Sequence, residues 1–528
     1  MSKEEHTKEI RPDLVELFER KTYLYDAHRP EAVAKRHAKG QRTARENILD
    51  LCDEDSFIEY GSLIVAAQSA RKSQQELMEQ TPADGLITGI GAVNGALFEG
   101  EQAKCVVMSY DYTVLAGTQG AFNHKKTDRM VRIAKKAQKP IIFFVEGGGG
   151  RPGDVDYYPI SVGGLDIMTF VEFARLSGKV PRIAIVSGYC FAGNAALAGC
   201  ADVIIATENT SMGMGGPAMI EGGGLGKFHP KEVGPAHLQE QNGVIDILVK
   251  DEAEAVATAK KYLSFFQGSI QDWTCPDQLK LRDVIPENRK FGYDVKKVIA
   301  AMADDDSVLE LRKLFAKNLV TAFIRIEGKA LGVMANNPRH LGGAIDSDAA
   351  DKAARFMQLC DAFGIPILSL CDSPGFMVGP DCEKTGMVRH ASRMFVVSAS
   401  LRVPVLTIVL RKAYGLGAMA MAAGSFHESF FTVSWQTGEF GAMGLEGAVK
   451  LGFRKELEKL ENPQEQEALY DKLVHEAYQK GKAIQAASSL EFDEVIDPKD
   501  SRTWIVNALT SIPETTYKNQ PHRIVDCW

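Results

Sequence analysis

None of the nine cysteines stands in a CxxC pair, and none has metal-like neighbours. That argues against a zinc ribbon and, at 528 residues, against a disulfide framework; free thiols are the simple reading. No run of 18 apolar residues occurs, so no transmembrane helix is expected. The opening MSKEEHTKEIRPDL is charged from its third residue and has no apolar signal region, which points to a cytoplasmic location. A basic excess is missing too. Lys and Arg number 61 against 69 Asp and Glu, a net charge of −8, which removes a whole-chain nucleic-acid footprint. No GxxxxGK[ST] is present, because Gly226-Lys227 is followed by Phe228. No GxSxG surrounds Ser187, and no GxGxxG opens a helix after the first strand. His124, His229, His237, His340 and His390 are not at metal-ligand spacing, and Asp346, Asp348 and Asp351 read as a helix start.

What is present is a globular composition, 25% charged and 45% hydrophobic, long enough for more than one core. Residues 1–80 read as a polar helical extension. From Gly85 onward short β-branched runs alternate with amphipathic helices, the pattern of an α/β fold with crossover units. The pattern then repeats. Pro140 is followed six residues later by Glu146 and glycines, and Pro366 six residues later by Asp372 and Ser373-Pro374-Gly375. Pro181 opens a strand whose loop reaches Gly193, and Pro404 one whose loop reaches Gly417. These prolines are 41 residues apart in the first half (181 − 140) and 38 in the second (404 − 366). Such agreement indicates an internal duplication with a period of about 225 residues, too long for a solenoid unit. The expected division is an N-terminal extension 1–80, a first domain 81–275 and a second 276–528, with a proline- and charge-rich linker over 268–300.

The stretch VSGYCFAGNAALAGC (186–200) puts small residues where a strand should feed a helix. Such residues cost backbone entropy and forgo packing. Cys190 reads as a buried thiol, because no histidine lies near it in sequence. Close helix packing is one reading of the small residues; the other is backbone chemistry. Amide N–H groups at a tight turn before a helix converge on one point at its positive end, where a developing oxyanion is stabilised. Gly193 and Asn194 are the candidate donors in the first half, and Gly417 and Ala418 in the second.

The chain resembles the carboxyltransferase (β) subunit of biotin-dependent acyl-CoA carboxylases. The matching stretches are KRHAKGQRTARENI (35–48), DYTVLAGTQGAFNHKK (111–126), EGGGGRPGD (146–154) and GYCFAGNAALAGCADVI (188–204). In the second half they are GGAIDSDAADKAARFMQLCDAFGIPILSLCDSPGF (342–376), VLRKAYGLGAMAM (409–421) and FGAMGLEGAV (440–449). The resemblance implies two tandem crotonase-like domains (ββα superhelix) related by the duplication. It also implies a homo-hexamer with active sites between domains of different subunits, acyl-CoA lying on the first domain and carboxybiotin on the second. In that family the carboxyl group passes from carboxybiotin to the α-carbon of the thioester, and negative charge develops on the thioester oxygen and on the biotin oxygen. Two oxyanion sites would serve those two charges.

By the same match, Lys126, Gly148, Gly149, Gly375, Phe376, Tyr414 and Ala420 are the expected cofactor- and substrate-binding residues. Ala420 is expected to leave room for an acyl group larger than acetyl. Lys35, Arg36, Arg42, Arg45, Lys125 and Arg129 are further candidates for the phosphates of coenzyme A, with solvated surface charge as their plainer reading. Biotin carboxylase and a biotin carboxyl carrier would be separate partners, because the chain has neither a biotinylation signal nor an ATP-binding domain. Departures from the family pattern are Asn194 for a second glycine, one extra residue before Gly417, which leaves Gly415 as a competitor in the second site, and Glu146 for serine. Three other readings stand beside this one: a biotin-dependent decarboxylase of a carboxyacyl-CoA, a crotonase-type hydratase or isomerase, and a non-catalytic hexameric scaffold.

Overall fold

The structure is a computed structural model that describes residues 11–156, 164–289, 291–518 and 520–528. The chain divides into two compact units, the first ending at Gln267 and the second starting at Gly268. The helices of the extension, Pro12–Thr22, Pro30–His37, Ala44–Leu51 and Gln74–Gln80, belong to the first unit.

The first unit is built on a seven-stranded sheet: Ile58–Glu59, Leu86–Ala92, Lys104–Tyr110, Ile141–Phe144, Arg182–Val186, Val203–Thr207 and Ile247–Val249, in that spatial order. The first three pair antiparallel and the rest parallel. In the second unit the main path repeats this plan with Leu309–Leu311, Leu319–Ile326, Lys329–Asn336, Ile367–Ser373, Val405–Tyr414, Phe431–Trp435 and Glu494–Ile496. Again two antiparallel pairings lead into a parallel series. These parallel strands are buried along their whole length and mostly apolar, as strands covered on both sides are.

The prolines act as expected at the start of these strands. Proline has no N–H to lose, and its carbonyl already serves the ladder. Pro140 accepts from the Val106 N–H at 2.9 Å and Pro181 from Ile141 at 2.9 Å; Pro366 accepts from Gly332 at 2.9 Å and Pro404 from Ile367 at 3.0 Å. In each unit a long helix packs on the sheet: Ala121–Ala137 on Leu86–Ala92 and Lys104–Tyr110, and Ser347–Ala362 on Leu319–Ile326 and Lys329–Asn336. The first buries Met130, Val131 and Ala134, and the second Ala349, Ala350, Ala353, Phe356 and Met357. The Asp346 carboxylate caps the second helix by accepting from the Ala349 N–H at 2.9 Å.

Beside each sheet a second parallel pairing forms, where the chain turns toward a short helix of small residues. In the first unit it joins Tyr189–Phe191 to Ser211–Gly213. In the second it joins Lys412–Tyr414 to Glu439–Gly441. The helices Gly193–Gly199 and Gly415–Met421 follow directly.

Candidate functional site

Three segments of the first unit meet backbone to backbone in front of the helix Gly193–Gly199. They are the turn Leu115–Gly117, the loop Glu146–Gly150 and the strand end at Phe191–Ala192. Leu115, Ala116 and Gly117 are all left-handed. A Cβ on Gly117 would lie 2.4 Å from the Glu146 carbonyl oxygen, and one on Gly147 would lie 2.1 Å from the Gly117 carbonyl oxygen. Neither contact can accommodate a side chain, which explains this part of the glycine run. Gly149 (φ +85°) faces the helix start; a Cβ there would stand 2.7 Å from the Ala192 Cβ and 3.5 Å from the Gly193 nitrogen. Its missing side chain keeps the space before the Gly193 N–H open. Gly149's own N–H is taken by the Asn194 side chain at 3.0 Å, and its carbonyl accepts from Gln119 at 2.7 Å. Gly148 is exposed at the tip of the loop. The N–H groups at the start of a helix have no acceptor within it, so Gly193 and Asn194 present polarised donors.

The second unit has the same layout in other residues. Gly375 (φ +119°) and Phe376 follow the strand Ile367–Ser373. A Cβ on Gly417 would lie 2.7 Å from Gly375 Cα and 2.9 Å from the Phe376 nitrogen. Gly375 donates to Ser373 Oγ at 3.1 Å and accepts from Ile345 at 3.0 Å. The Phe376 ring is half-buried, 6.3 Å from that of Phe395.

The strand registers align the two helix starts. Tyr189 pairs with Ser211 as Lys412 pairs with Glu439, so Phe191 matches Tyr414 and Ala192 matches Gly415. Both Ala192 (φ 51°) and Gly415 (φ +57°) are left-handed. The residues that follow are Gly193 and Asn194 in one unit, and Leu416 and Gly417 in the other. By this register Leu416 and Gly417, not the expected Gly417 and Ala418, stand opposite Gly193 and Asn194, and Ala418 falls opposite Ala195.

Three other expectations change. Lys126 does not reach outward. It is buried, and its ammonium donates to the carbonyls of Ala83 (3.3 Å) and Leu86; burial pushes its pKa down to about 8. It ties down the left-handed turn Ala83–Asp84. Lys352, 226 places further on (352 − 126), does the same in the second unit. Its Nζ lies 2.7–3.4 Å from the carbonyls of Arg312, Phe315, Ala316 and Leu319, and burial pushes its pKa down to about 7. Ala420 is fully buried, whereas Leu416 (61% exposed) and Met419 (38%) are the apolar side chains that helix presents to solvent. Tyr414 is buried and donates its hydroxyl to Glu439 at 2.9 Å.

The N-terminal basic residues also separate. Arg36 is buried and ion-paired with Glu146 at 2.8 Å and Glu252 at 3.5 Å. Burial pushes Glu146 up to about 7 against the pull of Arg36. Arg42 pairs with Asp50 and Arg45 with Glu59. Lys35 and Lys39 stay exposed and, with Arg29 and Tyr112, line a cleft of about 620 Å³. Lys125 lies over the Phe122 ring, and Arg129 is exposed. Cys190 is fully buried and its thiol pKa is pushed far up by burial, so it is held as an inert thiol. His124 shares a hydrogen bond with Thr169 Oγ1 at 3.0 Å, and His390 pairs with Asp351 at 2.7 Å. Among the described residues no helix is long and apolar enough to cross a membrane.

The carboxyl transferase domain family matches residues 35–524. The methylmalonyl-CoA carboxyltransferase 12S subunit of Propionibacterium freudenreichii subsp. shermanii is 35% identical over 493 residues, 90% of each chain. Among solved structures, a single-chain, multi-domain long-chain acyl-CoA carboxylase superposes with a TM-score of 0.90 at 54% identity, covering 95% of this chain. This chain spans about half of that one, 49% of its length. The transcarboxylase 12S subunit, solved as a hexamer with methylmalonyl-coenzyme A bound, superposes with a TM-score of 0.83 at 32% identity over 98% of both chains. The duplicated units are therefore two tandem crotonase-like domains. The chain belongs to the carboxyl transferase family and is an enzyme of the biotin-dependent acyl-CoA carboxyltransferase kind.

Proposed function

We propose that the chain moves a carboxyl group between carboxybiotin and the α-carbon of an acyl-CoA thioester, with one backbone oxyanion site in each unit. The observation that carries this reading is the repeated constellation. A left-handed residue, two helix-start N–H groups and a glycine loop packed against them occur in both halves of one chain. In the first unit the Gly193 and Asn194 N–H groups would receive the thioester oxygen as negative charge grows on it. One such donor is worth about 3 kcal/mol in the transition state, a factor of about 10²–10³.

The second unit suits the biotin ureido oxygen. Gly375 and Gly417 leave bare backbone there, and Leu416 and Gly417 would supply the donors. Carboxybiotin, brought by a separate carrier, supplies the carboxyl group. Neither site needs a metal or a side-chain base to hold its oxyanion. The exposed Lys35 and Lys39 at the cleft carry charge suited to the phosphates of coenzyme A, whereas Arg29 there is ion-paired with Asp111 and Asp26. The exposed Leu416 and Met419, rather than Ala420, favour an acyl group larger than acetyl. Biotin carboxylase and biotin carboxyl carrier proteins are the partners this reading requires, around a hexameric core like that of the transcarboxylase 12S relative.

The test is co-purification with those partners, then an assay with ATP, bicarbonate and acetyl-, propionyl- and longer acyl-CoAs. Carboxylation of an acyl-CoA longer than acetyl is expected. A strong preference for acetyl-CoA would remove the substrate reading. Absence of biotin-dependent transfer in either direction would remove the functional one.

A further inference from the structure

We infer that Asn194 is a positioning residue of the first oxyanion site: its side-chain amide sets the distance between the glycine loop and the helix start. The inference rests on the carboxyl-transfer reading above and adds to it a residue that acts through its side chain. Asn194 is fully buried, where a primary amide is costly unless both of its ends are bonded. Its Oδ1 accepts from the Gly149 N–H at 3.0 Å, and its Nδ2 donates to the Gly117 carbonyl at 3.3 Å. One side chain therefore bridges the helix start, the left-handed turn and the glycine loop. The bridge is tight, since a Cβ on Gly147 would come within 2.4 Å of Nδ2.

The matching place in the second unit shows what the amide replaces. There Gly417 rests directly on the Gly375–Phe376 backbone, with no room for a Cβ. The first unit puts a side chain where the second has contact of backbone on backbone. Asparagine fits because the position needs one acceptor and one donor at fixed spacing. Leucine offers neither, and aspartate lacks the donor while ionised. Because Gly149 borders the space before the Gly193 N–H, a shift of this bridge moves the donors relative to the thioester oxygen. Such an interaction should show in turnover more than in substrate binding.

The experiment uses the full chain, with free biotin as carboxyl acceptor and methylmalonyl-CoA as donor. Asn194→Ala is expected to lower kcat about 10- to 100-fold while KM stays within about threefold. Asn194→Asp is expected to be equally slow at pH 8 and to recover relative to wild type as the pH falls. A protonated carboxyl again offers one donor and one acceptor, so the recovery reports the bridge and not overall stability. If Asn194→Ala does not fold, the Asn194→Asp profile decides. An Asn194→Ala kcat within about twofold of wild type, or an Asn194→Asp to wild-type ratio that is flat with pH, overturns the inference alone. A wild-type chain without biotin-dependent turnover of methylmalonyl-CoA or of longer carboxyacyl-CoAs overturns the carboxyl-transfer reading, and the inference with it.

Discussion

The two halves share their scaffold and differ at its mouth. Lys126 and Lys352 hold equivalent turns by their carbonyls, four prolines open equivalent strands, and Ala192 and Gly415 reverse the chain at equivalent points. The next residues diverge: Gly193-Asn194 in one half, Leu416-Gly417 in the other. The first half therefore presents bare backbone braced by a buried amide. The second presents bare backbone with a leucine beside it. The duplication kept what aims the N–H groups and varied what surrounds them, as expected if the two sites hold different oxyanions.

The sharpest way to break the comparison is at the closest contact. Gly417→Ala pushes a Cβ into the Gly375–Phe376 backbone, and carboxyl transfer should fall by more than about a hundredfold. Steady-state kcat measures it; near-normal turnover would separate Gly417 from the site. Next come the two lysines. Lys352→Met leaves four carbonyls without their donor and should cost about 3–5 kcal/mol; Lys126→Met, with two carbonyls, should cost less, about 1–3 kcal/mol, by denaturant titration. Lys352 also gives a pH signature. Its pKa in the fold is about 7, below the value in the unfolded chain, so the unfolded state binds more protons between pH 7 and 10. The stability of wild type relative to Lys352→Met should therefore rise with pH across that window.

A smaller effect is expected at the mouth. Leu416→Gly makes the second helix start resemble the first and removes exposed apolar surface. The ratio of kcat/KM for a long against a short acyl-CoA should drop by about tenfold. Smallest, and opposite in sign between the halves, is the effect at the reversal point. Ala192→Gly relieves a left-handed alanine and should raise stability by about 1 kcal/mol. Gly415→Ala creates that strain and places a Cβ 2.7 Å from the Ala442 carbonyl oxygen, so its melting temperature should fall.

Much of the architecture was legible in the residues. Proline spacing exposed the duplication because a residue without an N–H suits the start of a strand and not its middle. The glycine loops were legible because close backbone approach excludes every other residue. Asp346 was readable as a cap from its place before a helical run. The rest was hidden for definite reasons. Lys126 and an exposed lysine look alike in one dimension, and only the carbonyls of Ala83 and Leu86 show that it is turned inward; a match between Lys126 and Lys352 at the repeat spacing was the available signal. Ala192 does not advertise a left-handed backbone as glycine would. The register that sets Leu416-Gly417, rather than Gly417-Ala418, opposite Gly193-Asn194 needs the strand pairings as well as the residues, because Gly415 and Gly417 look alike in one dimension and only Gly415 has a positive φ. Ala420 faces the core because a helix turns its residues through 100°, so a place near the helix start along the chain can still point inward.

The inward-facing lysines have a practical consequence for watching the protein open. An amine-reactive reagent reaches an exposed lysine at once, but reaches Lys126 or Lys352 only when the surrounding turn has come apart. Pulse acetylation followed by peptide mass analysis would then time the opening of each half separately. Each half carries its own internal clock, a buried lysine at the same place in the repeat.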